Sequence, residues 1–216
     1  DTGWPEPASV PTGVGPAAEP TIAAPRVCVL APRRRATGTL VETFGYEMDN
    51  PPARFFLRDL RPRDTPPQGV WRRYDLGRVR LGRPRITLDL PEGAVVEMAM
   101  SEALVGGRVT PWITLSASDS ANMDHFVARG GPQEFFPLTP KGGRFLEVHV
   151  LAPPASVRWL REEFVERGAY GEPEGAFRCG DRLLERVWRT GVETFRACAE
   201  DAVIDNPTRE RGQWAG

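Results

Sequence analysis

Lysine is nearly absent from this chain. Of its 28 basic side chains only Lys141 is a lysine, and the rest are arginines. They are scattered and offset by 29 acidic residues, leaving a formal net charge of −1. A chain so balanced has no field with which to gather nucleic acid or an anionic membrane, so neither partner is expected. The arginine excess reads as a high-GC coding bias rather than phosphate recognition. Long apolar runs are missing as well. None approaches the ~20 residues a helix needs to cross a bilayer, so no membrane protein is expected. Cysteine is scarce, with only Cys28, Cys179 and Cys198. Three thiols cannot all pair within one chain, and these have no metal-ligand spacing. They read as buried free thiols of a reducing compartment, which tilts localisation toward the cytoplasm. No basic and apolar signal segment opens the chain. It begins with Asp1 rather than Met, so a removed export signal stays open. His125 and His149 are the only histidines, and neither has a partner at metal spacing. They read as surface or satisfied core side chains, and no metal or cofactor is expected.

What is present is an ordinary globular balance, 40% hydrophobic and 26% charged, over 216 residues. Such a chain can bury roughly 70% of its unfolded surface. Six prolines in the first 26 residues predict an extended arm or linker. From 27 to 168 the pattern is of short β-branched or aromatic runs separated by Pro and Gly. The expected strands are Val27–Ala31, Thr39–Tyr46, Arg54–Leu60, Val70–Leu76, Arg83–Leu90, Val95–Glu102, His125–Ala128, Gln133–Phe136, Arg144–Ala152 and Ser156–Val165. Ile86, Leu88 and Leu90 alternate with Arg85, Thr87 and Asp89, the period of a strand with one buried face. Leu146, Val148 and Val150 point one way, and Glu147 and His149 point toward solvent or a second surface. Gly106-Gly107 and Gly142-Gly143 read as hairpin punctuation. The fold class is mainly β, an antiparallel sandwich.

The period changes after Gly180. Leu183, Leu184, Val187, Trp188, Gly191, Val192, Phe195, Cys198 and Ala199 recur at three and four. They predict a C-terminal helix from Arg182 to about Ile204, capped by Asp181 and stopped by Pro207. Its wide apolar face, with Phe195 and Trp188 as the bulkiest members and Trp188 expected to be buried, needs a partner surface, part of which is expected to lie outside this chain. Residues 169–216 thus read as a linker, this helix and a loop.

That loop carries the densest chemistry. Asp205, Asn206, Pro207, Thr208, Arg209, Glu210, Arg211, Gly212, Gln213 and Trp214 place two carboxylates, two guanidiniums and an indole together. A glycosidase needs such a set: a carboxylic acid for the leaving oxygen, polar groups for sugar hydroxyls and an aromatic wall. Composition alone favours a plainer reading, a charged and solvated helix terminus.

The loop resembles the signature of bacterial α-L-rhamnosidases, glycoside hydrolase family 78: Asp-x-Pro-x-Arg-Glu, a few residues, then Trp-x-Gly-Asp. Asp205, Pro207, Arg209, Glu210, Trp214 and Gly216 match it in register. The run Gly175 to Asp181, with Leu184, Val187 and Trp188, is similar to the entry into that family's helical barrel. Tyr74-Asp75-Leu76-Gly77, Ser101-Glu102-Ala103-Leu104 and Gly143-Arg144-Phe145 resemble points of its β-sandwich. One departure is that Gln213 precedes the Trp, where the family commonly has Gly. The resemblance implies a sandwich followed by an (α/α)6 barrel and an inverting hydrolysis that releases terminal α-L-rhamnose. It implies Glu210 as general acid, Asp205 and Arg209 contacting sugar or orienting Glu210, and Trp214 walling the pocket. The general base would lie on a later barrel helix. Twelve barrel helices need ~300 residues or more. The expectation is therefore a fragment that ends within the barrel and is inactive alone. Its expected partner is a rhamnose-containing glycoside or oligosaccharide, and a homo-oligomer is left open.

Two other classes stay in play. One is a non-catalytic carbohydrate-binding or domain-interface sandwich, which would need Trp71 and Trp112 exposed as a platform. The other is a different (α/α)6 exo-glycosidase or lyase. Asp119 and Asp124, flanking the Ser-rich segment Ser116–Asn122, could offer oxygen ligands to calcium, but the segment reads as a solvated loop.

Overall fold

The computed structural model describes residues 26–39, 68–111, 122–168, 175–199, 203–208 and 212–213. The expected strand Arg54–Leu60, nearly all of Thr39–Tyr46, the proline-rich arm up to residue 25, Trp112 and Asp119 lie outside them.

The described residues form an antiparallel β-sandwich followed by one helix. Its spine is β3, Val70–Leu90, a strand of 21 residues. Sequence punctuation at Gly77 and Gly82 suggests two strands here, but the chain runs on as one. Residues 70–75 and 80–82 pair with β9, Lys141–Leu151, and the ladder lapses between them. Gly77 sits in that lapse at φ 81°, a conformation that costs glycine little. Residues 86–90 then pair with β8, Gly131–Phe135. Pro84 falls in the gap between the β9 and β8 ladders, an edge position that tolerates a residue without an N–H.

On the opposite edge β3 pairs first with β2, Arg33–Thr39, then with β10, Arg158–Gly168. The strand β1, Arg26–Leu30, adds to β10. Beyond β9 come β4, Val95–Ser101, and β7, Met123–Val127. The strands β5, Leu104–Val105, and β6, Arg108–Val109, make a hairpin closed by Gly106 and Gly107 at φ 56° and 79°. Two positive φ angles make the turn that glycine pairs favour.

One core is shared by both halves of β3. Tyr74 and Leu76 come from its first half, and Ile86, Leu88 and Leu90 from its second. Val96, Met98 and Met100 of β4, Leu146, Val148 and Val150 of β9, and Phe164 of β10 complete it. The period-two pattern in β3 and β9 therefore marks the core faces correctly. The arginines have a structural use too. Arg85 and Arg80 of β3 reach Glu163 and Glu166 of β10 at 2.5 Å, and Arg72 pairs with Glu162. The guanidinium's planar fork suits such cross-strand carboxylates better than an ammonium.

Four expectations need correcting. Gly142 and Gly143 lie inside β9, not in a hairpin. A side chain at Gly143 would come within 3.0 Å of the Ser101 backbone, and one at Gly142 would strike Pro207. Close approach, not turning, requires these glycines. The helix, α1, is Arg182–Ala197 and stops at Cys198, well before Pro207. The chain turns back there, so that Ala199 bridges Val203 and the Ile204 N–H donates to the Cys198 carbonyl. Asp181 does cap α1, accepting from the Leu183 N–H at 2.7 Å. Trp188 is half-buried rather than buried, and Leu183, Leu184, Val187 and Phe195 are exposed. Of the thiols, Cys198 is buried as expected but Cys179 is exposed. None of the helices among the described residues is long and apolar enough to cross a membrane.

Phe164 is fully buried where β10 closes the core. Phe164→Ala should cost about 3–5 kcal/mol in urea unfolding. A loss below 1 kcal/mol would mean the two halves of β3 do not share a core.

Candidate functional site

The loop after α1 is built from the sandwich outward. Pro207 is buried, with its carbonyl pressed against Gly142 of β9. The Asn122 side-chain amide fixes the seat beneath, donating to the carbonyls of Gly142 at 2.6 Å and Met100 at 2.9 Å. The Thr208 hydroxyl donates to Glu102, which follows β4. Within the loop the Thr208 N–H donates to Asn206 Oδ1 at 2.8 Å, an Asx turn. Asp205 closes the loop on itself: its N–H donates to the Gly212 carbonyl at 3.0 Å, and its Oδ1 accepts from the Gly212 N–H at 2.9 Å. Burial and the Asp205 carboxylate push the neighbouring Cys198 thiol above its usual range.

Of the four residues expected at a site, Asp205 alone is among those described; it is exposed, and one of its oxygens serves the loop. Glu210, Arg209 and Trp214 lie outside the described residues. Trp71 is half-buried, with the Arg108 guanidinium 4.4 Å from its ring centroid and Gly38 against its edge. It is engaged within the protein rather than presented as a platform. No group of three or more His, Cys, Asp and Glu with metal-holding geometry occurs among the described residues.

A second cluster lies on the face of β9 and β4 opposite the core. Glu147 and His149, expected to face solvent or a second surface, face the latter and are wholly buried. His149 Nε2 donates to Glu147 Oε1 at 2.8 Å, and its Nδ1 lies 3.3 Å from Glu97 Oε2. Arg108 of β6 donates to the same Glu147 oxygen at 2.8 and 2.5 Å. His125 stands at the rim, 3.9 Å from Glu97. Two acidic side chains and an imidazole thus meet in the interior, with the Arg108 guanidinium reaching in from a half-buried position, 3.1 Å from His149 Nε2. Burial works against the charge on His149, but Glu147 and Glu97 outweigh it and raise its pKa above 6.5. Burial likewise pushes Glu147 up, but His149 and Arg108 hold it below 4.5. This cluster pins the β5–β6 hairpin, and hence the segment after Glu102, to the sheet. The sequence signal for it was two charged residues on one parity of β9 facing a third in β4.

The fold and the loop together define a class: a β-sandwich that seats a helix-and-loop unit at its rim. Residues 69–166 match the family described as the bacterial alpha-L-rhamnosidase concanavalin-like domain. The sandwich resembles those of solved α-L-rhamnosidases. The GH78 rhamnosidase of Bacillus sp. GL1 shares 23% identity at a TM-score of 0.57, covering 72% of this chain and 16% of that one. A rhamnosidase from Klebsiella oxytoca, solved with rhamnose bound, shares 17% at 0.57, covering 88% and 39%. The α-L-rhamnosidase of Aspergillus terreus shares 25% at 0.52, covering 66% and 17%. This chain therefore spans well under half the length of each. No curated protein matches its sequence.

The buried cluster sets a pH window. A histidine with a raised pKa contributes fully below its unfolded value, about pH 6.5, and loses this as pH climbs through its folded value. A glutamate with a lowered pKa contributes fully above about pH 4.5 and loses this as pH drops through its folded value. The pair should stabilise most between these limits. His149→Leu should cost about 3 kcal/mol there, because it removes the partner that two buried acidic side chains share, with Arg108 left to hold Glu147. Urea unfolding from pH 4 to 9 checks this: the gap between wild type and variant should narrow toward alkaline pH, and a constant gap would argue against a charged His149.

Proposed function

We propose that this chain supplies the sandwich and the general-acid loop of an inverting glycosidase that releases terminal α-L-rhamnose. One observation carries the proposal. The loop bearing the family's motif is seated on the same sandwich that matches the rhamnosidase domain, through Pro207 on Gly142 and Thr208 on Glu102. Glu210 is the proton donor to the leaving oxygen. Asp205 and Arg209 contact the sugar or orient Glu210, and Trp214 walls the ring. An inverting reaction needs a second carboxylate roughly 6.5–9.5 Å from the acid, with water between them. In this reading the second carboxylate belongs to a helical domain beyond the 216 residues, as the span relative to the solved rhamnosidases suggests. As an acid at neutral pH, Glu210 needs a pKa raised to about 6–7, and a direct ion pair with Arg209 would oppose that.

The 216-residue chain alone should not turn over 4-nitrophenyl α-L-rhamnoside, and measurable, saturable hydrolysis would reject the division of labour proposed here. In the protein read through beyond Gly216, Glu210→Gln should lower kcat on an alkyl rhamnoside by about a hundred- to ten-thousandfold. The loss should be smaller on the 4-nitrophenyl substrate, whose leaving group needs little protonation. Equal losses on both substrates would remove Glu210 from the acid role.

A further inference from the structure

We infer that Glu102 is a positioning residue for the motif loop, an assignment that rests on the glycosidase reading for its use but not for its geometry. The Thr208 hydroxyl donates to Glu102 Oε1 across 106 positions of sequence. The bond joins two segments that backbone pairing does not connect. Glu102 follows directly on β4, the strand that pairs with β9 beside the Gly142 seat. Its own segment is held from both sides. Ser101 Oγ donates to the Ala103 carbonyl at 2.6 Å, and the hairpin that follows is pinned through Arg108 to buried Glu147. Glu102 is therefore a carboxylate at the exposed end of a fixed strand, and Thr208 follows buried Pro207 as the last described residue before Gly212.

The location gives the bond its effect. The loop is closed at Gly212 by Asp205 and tied down at Thr208 by Glu102. Arg209, Glu210 and Arg211 lie in sequence between these two anchors. A chain segment fixed at both ends has far fewer arrangements than one fixed at one end. Holding Thr208 thus fixes the start of the stretch that carries the proposed acid. Catalytic groups need placement within about 0.5 Å, and such placement comes from supporting hydrogen bonds. Glu102 touches no substrate in this reading and acts only through Thr208.

Tryptic cleavage within the loop tests the clasp on the 216-residue chain without any substrate. Arg209 and Arg211 are cleavage sites, and mass spectrometry reads their rate against cleavage elsewhere. Glu102→Ala should speed cleavage at these two sites about fivefold, the scale of one lost charge-assisted hydrogen bond at an exposed site. The melting temperature should hold, because the core is untouched. Glu102→Gln keeps an acceptor oxygen and should restore most of the protection, as should Thr208→Ser. Thr208→Val should match Glu102→Ala, and the double variant should add nothing further. Unchanged cleavage in Glu102→Ala overturns the inference. So does an additive double variant, or faster cleavage across the whole chain with a lower melting temperature. If rhamnoside hydrolysis fails in the read-through protein while the clasp is measured here, the glycosidase reading falls and the clasp stands. If hydrolysis holds and cleavage does not change, Glu102 loses its role and the enzyme reading survives.

Discussion

A strand of 21 residues can serve two halves of a sandwich only if it bends without stranding its backbone groups. In β3 each edge solves this by changing partners. On one side β9 gives way to β8, and on the other β2 gives way to β10. The bend falls where the β9 ladder lapses around Gly77, and proline falls where neither β9 nor β8 is paired. Everything else is placed by this strand. Its core face brings Tyr74 and Ile86 into one cluster, and its outward arginines tie β10 to it by ion pairs. Tyr74 shows how closely the two systems meet. Its ring is in the core while its hydroxyl donates to Glu162 at 2.5 Å, and burial together with that carboxylate raises its pKa.

The sheet's other face follows different chemistry. Burying Glu97, Glu147 and His149 together is less favourable than burying hydrocarbon, unless every charge is paired. Here Glu147 accepts from Arg108 and His149 on one oxygen and from the Val109 N–H at 3.4 Å on the other. What the arrangement supplies is a fixed place for a short hairpin that has little apolar surface of its own. Through that hairpin the rim bearing Ser101 and Glu102 is tied to the sheet, and Thr208 of the loop bonds to it.

Much of the fold was legible in the sequence, because alternation in Arg83–Leu90 and Arg144–Ala152 is a direct consequence of one buried face. Strand continuity through Gly77 was not, since a glycine that ends a strand and one that bends it look the same. Nor were Gly142 and Gly143, whose requirement comes from Pro207 and Ser101, distant in sequence. The cap at Asp181 was readable from local chemistry, whereas the end of α1 at Cys198 was not, because the apolar period continues past it. At the site, the motif around Asp205 was visible as a string of residue types. Its support by Glu102 and Gly142 depends on which strand lies beneath, and no local pattern encodes that.

The attachment of α1 has one more consequence. On the helix, Glu193 pairs with Arg78 in the unpaired bend of β3 and with Arg196 one turn on, beside half-buried Trp188 and Val192 and buried Ala197. Its leucines and Phe195 lie on the side turned away. Exposed ion pairs are screened over a Debye length of about 8–10 Å at ordinary ionic strength, whereas buried hydrocarbon is not weakened by salt. The Arg78–Glu193 contact and the apolar core of the sandwich therefore answer to different properties of the solvent.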